Sequence, residues 1–161
     1  MRIGILSDIH DNIWALEEAL AALQGVDALF GLGDYCAPFT VAAIGEAFAG
    51  PVHLVWGNND GDKLTIARIA AQHPQITLHG DWARLELGGC QISLVHDPAL
   101  GRALAEGERF DLVCHGHDHR RNLAELGRTL LVNPGEVMGR FGVRSVAIYD
   151  TERQHVEIIT W

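Results

Sequence analysis

The sequence predicts an α/β fold of two β-sheets sandwiched by helices, and three features of the chain point to it. Over roughly the first sixty of its 161 residues, short apolar runs alternate with amphipathic stretches. That pattern calls for parallel strands joined by crossover helices. Further on, the chain turns to short strands separated by turns, with Gly88-Gly89 as a hairpin signal. No linker, low-complexity segment or internal repeat breaks it, so residues 1–161 are read as one domain.

The elements follow in order. Residues 2–7 form an apolar run of strand length ending at Ser7-Asp8. Ile13, Leu16, Leu20 and Leu23 then recur at helical spacing, capped by Asp11 or Asn12 and stopped by Gly25. Ala28-Leu29-Phe30 is a second strand leading into Gly33-Asp34. After Pro38, Thr40 is expected to cap a helix carrying Val41, Ile44 and Phe48. Gly50-Pro51 ends it, Val52–Trp56 is a third strand, and a third helix runs from about Asp62 to Ala71. Trp82–Leu87 and Gln91–Val95 are the arms of the hairpin, Ala99–Glu106 a short helix and Leu112–Cys114 a buried strand. Arg121–Leu126, Thr129–Val132, Arg144–Tyr149 and Val156–Thr160 are short strands.

Composition bounds the function. An apolar fraction of 48% with 20% charged residues describes a globular chain rather than a disordered one. A net charge of −9 disfavours a long nucleic acid or an anionic membrane as partner. Cys36, Cys90 and Cys114 show no paired spacing, as in a cytosolic protein with reduced thiols. The first strand reaches Asp8 and His10 too soon for a signal peptide, so a cytoplasmic protein is expected.

Metal-capable residues fall at one strand end after another. Asp8 and His10 follow the first strand, Asp34 the second, Asn58 and Asp60 the third, His96 the Gln91–Val95 strand, and His117 and His119 the strand at 112–114. In a parallel α/β sheet these carboxyl ends share one edge, where ligands bind. Extended backbone would put each i, i+2 pair, Asp8/His10 and His117/His119, on one face. Each motif alone has a structural reading: Asp8 as a helix cap, Gly33-Asp34 as a turn, His96 as a core histidine. As an ordered set, Asp8, His10, Asp34, Asn58, His96, His117 and His119 supply too many donors for one tetrahedral zinc, and they suit two ions sharing a carboxylate.

Asp8-x-His10, Gly33-Asp34, Gly57-Asn58-x-Asp60, His96 and Gly116-His117-x-His119 together resemble the calcineurin-like metallophosphoesterase superfamily, and most closely its small bacterial and archaeal phosphodiesterase branch. The likeness runs from Met1 to about Gly135 and includes Asn133-Pro134-Gly135. It implies a four-layer α/β/β/α sandwich. It also implies that Asp8, His10 and His119 hold one divalent ion, that Asp34 bridges to a second, and that Asn58, His96 and His117 complete the second site. Nitrogen and oxygen donors without thiolate admit Mn²⁺, Fe²⁺, Co²⁺, Ni²⁺ or Zn²⁺, and the resemblance makes Mn²⁺ the first choice.

The implied reaction is phosphodiester hydrolysis by a hydroxide shared between the two ions. Many relatives carry a histidine, the usual leaving-group acid, where this chain has Asn59. Asp60 is the remaining candidate acid, although orienting Asn58 or another neighbour is the favoured role. Asn12 is a candidate phosphate contact as well as a helix cap. Asp97-Pro98 stands where relatives usually have glycine after the histidine, and Trp56 is read as core. The expected partner is a small phosphodiester, with homo-oligomers allowed. The rivals are a scaffold on the same fold, as with the retromer subunit, and a phosphomonoesterase or protein phosphatase.

Overall fold

The computed structural model describes residues 1–161. In chain order the first half comprises β1 (Arg2–Leu6), α1 (Ile13–Ala22), β2 (Ala28–Gly31), α2 (Pro38–Ala47), β3 (Val52–Leu54), α3 (Lys63–Ala70) and β4 (Ile76–Leu78). The second half comprises β5 (Trp82–Leu87), β6 (Cys90–Val95), α4 (Pro98–Glu106), β7 (Leu112–Cys114), β8 (Asn122–Leu126), β9 (Thr129–Asn133), β10 (Ser145–Asp150) and β11 (His155–Thr160).

The strands make two mixed sheets, ordered β11-β10-β1-β2-β3-β4 and β5-β6-β7-β9-β8. β1 to β4 are parallel neighbours and β10 and β11 close one side antiparallel. In the second sheet β6, β7 and β9 are parallel, between antiparallel β5 and β8. Side-chain alternation explains the layers. On β1, Ile3 and Ile5 face the second sheet, packing with Phe30, Ile92, Leu94 and Leu112, while Leu6 faces the helices with Leu16 and Ile44. α4 covers the far side of the second sheet, where Ala105 meets Phe110, Val113 and Leu131. The result is the expected α/β/β/α sandwich.

Several local expectations change. Thr40 does not cap the second helix. Pro38 occupies its first turn, where a missing N–H costs nothing, and the capping position is Ala37 with no side-chain bond. The Thr40 hydroxyl instead donates to Asp11. Asn12 is the α1 cap, accepting from Ala15 N at 3.2 Å. The third strand ends at Leu54, two residues short of Trp56. β4 escapes the sequence pattern because three residues are too few to show an alternation. Asp97-Pro98 opens α4, with the Asp97 carboxylate accepting from Leu100 N at 2.7 Å.

The layer between the sheets sets the stability. Phe30 is fully buried there, whereas Phe39 on α2 is 53% exposed. Phe30→Ala is expected to cost about 3–5 kcal/mol in urea unfolding, and Phe39→Ala less than about 0.5 kcal/mol.

Candidate metal centre

The loops after β1, β2, β3, β6 and β7 meet at one edge of the sandwich. Asp8, His10, Asp34, His117 and His119 all lie there with positive φ, between 44° and 76°. The extended-strand expectation for the two i, i+2 pairs is therefore wrong. These side chains sit on left-handed turns just past the strands, which costs residues other than glycine of order 1–3 kcal/mol each. The turn separates the members of the second pair. His119 stacks on His10 with ring centroids 5.1 Å apart, and His117 packs edge-on against His96 at 5.2 Å.

Close backbone approach brings the loops together. A Cβ on Gly57 would overlap the backbone nitrogen and carboxylate of Asp34, and one on Gly116 would overlap Ser7 Oγ. Those contacts give Gly57-Asn58 and Gly116-His117 a physical reason for their glycines.

Two groups of donors result. Asp8, His10 and His119 place ligand atoms within 4.8 Å of one another, as do Asp8, Asp34 and His96. Asp34 Oδ2 lies 3.4 Å from His10 Nε2 and 3.5 Å from His96 Nε2, so one carboxylate oxygen reaches both groups. Asn58 Oδ1 lies 2.9 Å from His96 Nε2 and 2.7 Å from His117 Nδ1, which joins those residues to the second group.

The outer nitrogens of the rings fix their orientation. His96 Nδ1 is 2.7 Å from the Leu32 carbonyl. A carbonyl only accepts, so that nitrogen carries the proton and Nε2 is left facing inward. His119 Nδ1 is tied in the same way to Glu136 Oε2 at 2.8 Å, with Nε2 3.5 Å from Asp8 Oδ1. His10 Nδ1 meets Cys36 Sγ at 3.4 Å. Inward Nε2 atoms with tethered Nδ1 atoms are the arrangement of metal-binding imidazoles.

The electrostatics agree. Burial drives the Asp8 carboxyl above the usual range. Burial also pushes on Asp34, but hydrogen bonds from His96 and from the backbone and side chain of Asn59 outweigh it and hold that carboxyl well below the usual range. His96 is raised, since Asp34 more than offsets the effect of its burial. Asp8 Oδ1 and His10 Nε2 are buried without any hydrogen-bond partner. Polar atoms buried without partners are costly, and a cation among them would satisfy them. The donor set thus fits divalent metal.

The other expected residues serve the same edge. Asn59 donates to both Asp34 oxygens, from N at 2.8 Å and from Nδ2 at 2.7 Å. Asp60 accepts from the backbone of Gly57 at 2.7 Å, Cys36 at 2.9 Å and Asp34 at 3.2 Å, with its carboxyl raised by burial. Asn12 caps α1 through Oδ1 and donates from Nδ2 to the Met138 carbonyl at 3.1 Å. His115 is buried beside Asn133 and belongs to neither group. Trp56 lies partly on the core and partly on a cavity beside Asn58. Glu136 had no signal of its own in the sequence beyond following Asn133-Pro134-Gly135. It is buried, and its second oxygen accepts from Phe141 N at 2.6 Å.

Comparison with known proteins places this geometry. A family model described as the calcineurin-like phosphoesterase superfamily domain matches residues 1–154. A phosphodiesterase of Methanocaldococcus jannaschii is 27% identical over 160 residues, covering 96% of this chain and 95% of that protein. An archaeal phosphodiesterase structure superposes with a TM-score of 0.91 at 24% identity, each chain fully covered. The Escherichia coli phosphoesterase YfcE gives 0.69 at 19% identity over 99% of this chain and 98% of that one. Vps29 of Entamoeba histolytica gives 0.68 at 16% identity over 100% and 99%.

Two outcomes are expected. Asp8→Asn removes a buried charge from the metal-free protein, so its Tm should rise by about 2–4 °C, roughly 1 kcal/mol, while the Tm gain on adding Mn²⁺ should shrink. Glu136→Gln, which loosens His119, should weaken Mn²⁺ binding by about 10–100-fold in calorimetric titration.

Proposed function

Because the chain belongs to the calcineurin-like phosphoesterase superfamily, we propose that it is a dinuclear metal-dependent phosphodiesterase acting on small phosphodiesters, with Mn²⁺ as the ion. The observation that carries this reading is Asp34 Oδ2, within 3.5 Å of imidazole nitrogens in both donor groups. One site would take Asp8, His10 and His119, the other Asn58, His96 and His117, with Asp34 common to both. Bound ions there would supply Lewis acidity and a water of lowered pKa.

The residues around them do the remaining work. Only Asp8 and Asp34 bring formal negative charge to the inner set, so two divalent ions leave it positive and attractive to a phosphodiester in a chain of net charge −9. Asn59 has no acidic proton, and its amide is held on Asp34. Asp60 spends its carboxylate on backbone N–H groups, which supports a positioning role. With neither Asn59 nor Asp60 set to protonate the departing oxygen, the site favours aryl or nucleotide-type leaving groups. That argues for diesters over alkyl monoesters. The free thiols of Cys36, Cys90 and Cys114 support a reducing, cytoplasmic setting, and no helix is long and apolar enough to cross a membrane.

The Vps29 neighbour favours a second reading, a scaffold on the same fold. The intact donor set speaks for the enzyme. Protein reconstituted with Mn²⁺, Ni²⁺ or Zn²⁺ should hydrolyse bis(p-nitrophenyl) phosphate faster than p-nitrophenyl phosphate, and Asp34→Asn should lose at least about 100-fold of that rate. Equal inactivity of wild type and variant with every ion would overturn the enzyme reading in favour of the scaffold, and preference for the monoester would reverse the substrate class.

A further inference from the structure

Two aromatic–cation pairs bracket the donor set, one at each end, and the reaction above uses neither. At the end formed by Asn58, His96 and His117 a cavity of about 300 Å³ opens. Trp56 and Leu100 supply apolar wall there, and Lys63 Nζ lies 5.2 Å from the centre of the indole. At the other end Phe141 meets the His119 ring edge-on at 5.1 Å, and the Arg140 guanidinium lies 5.2 Å from the centre of the phenyl ring. Phe141 is 69% exposed and belongs to none of the buried clusters. It is held in place through its own N–H, bound to the Glu136 carboxylate that also orients His119.

Single exposed aromatics are ordinary on protein surfaces. Phe141 is not explained by packing, and Trp56, although one side of it packs on the core, turns another to the cavity beside Asn58; each has a cation beside it in a chain of net charge −9. A phosphodiester has two arms. We propose that Trp56 with Lys63 and Phe141 with Arg140 each receive one arm, selecting diesters that carry a planar aromatic group on both sides of the phosphorus, as a dinucleotide does. The proposal rests on the phosphodiesterase reading and narrows its substrate class.

The energetics favour it. A cation–π contact at an exposed site is weak, and stacking of a base on an aromatic side chain is stronger. An arriving planar group therefore displaces the exposed Lys63 or Arg140 side chain from its ring. The displaced cation stays at the rim, where it meets the anionic or hydroxyl oxygens of the arm. An alkyl arm has no π-face and gains none of this.

The test uses three diesters that share the p-nitrophenolate leaving group and differ in the other arm: bis(p-nitrophenyl) phosphate, thymidine 5′-(p-nitrophenyl phosphate) and methyl p-nitrophenyl phosphate. The methyl ester should show a KM about 10-fold higher. Trp56→Ala and Phe141→Ala should each raise KM for at least one of the other two by about 10-fold, with kcat changed less than about twofold and Trp56→Phe near wild type. A readout free of turnover is the Trp56 indole N–H in ¹H–¹⁵N spectra of the Zn²⁺-loaded protein, assigned by its loss in Trp56→Phe. Thymidine 5′-phosphate should shift it and inorganic phosphate should not. Equal KM for the three esters, with flat variants in an active enzyme, overturns this inference and leaves the phosphodiesterase standing. Absence of diester hydrolysis overturns the phosphodiesterase reading, and an unmoved Trp56 signal then overturns the two-arm inference as well.

Discussion

Burial of two carboxylates side by side is the constraint on which the rest of this structure depends. Asp8 and Asp34 are almost wholly removed from water at the edge where five loops meet. Taking an anion out of water is costly unless it gains a cation or several donors. Asp34 gains Asn59 and His96. Asp8 receives the His117 backbone N–H on Oδ2, and its other oxygen has no partner. The inward Nε2 atoms of His10, His96 and His119 complete a donor set that a divalent ion would satisfy.

Such a centre needs a rigid support, because its ligands sit on unfavourable backbone. Left-handed turns at Asp8, His10, Asp34, His117 and His119 point side chains sideways off the strand ends, which extended residues cannot do. The apolar layer between the sheets pins those strands, and close contacts at Gly57 and Gly116 lock the loops to one another. Glu136 carries the constraint further out, joining the His119 ring to the loop that presents Phe141. A single buried carboxylate thereby ties the Phe141 rim to the donor set.

Much of this was legible in the chain, for physical reasons. Strand β1 was visible because residues 2–7 are an apolar run of strand length, as befits a strand buried on both faces, and the β5–β6 hairpin because Gly88-Gly89 takes positive φ at its turn. The same local rules misled where a competing one prevailed. Pro38 started α2 ahead of Thr40, and β4 was too short to show a period. The i, i+2 argument for His117 and His119 assumed extended backbone where the chain had already turned, so it put on one face two rings that lie in separate groups.

The sequence by itself determined the layers, the residue types at each strand end and, through the likeness of their order, the family. Periodicity and turn chemistry are local, and a parallel sheet brings its strand ends to one edge whatever the loops do. Only the tertiary structure decided which of those residues touch. Asp34 meets Asn59 across 25 positions, His96 finds the Leu32 carbonyl across 64, and Glu136 reaches His119 across 17. Hydrogen bonds between distant segments leave no period in a sequence. They chose which nitrogen of His96 and His119 faces the centre and fixed the backbone of Phe141 beside it, while apolar packing set Trp56 at the other rim.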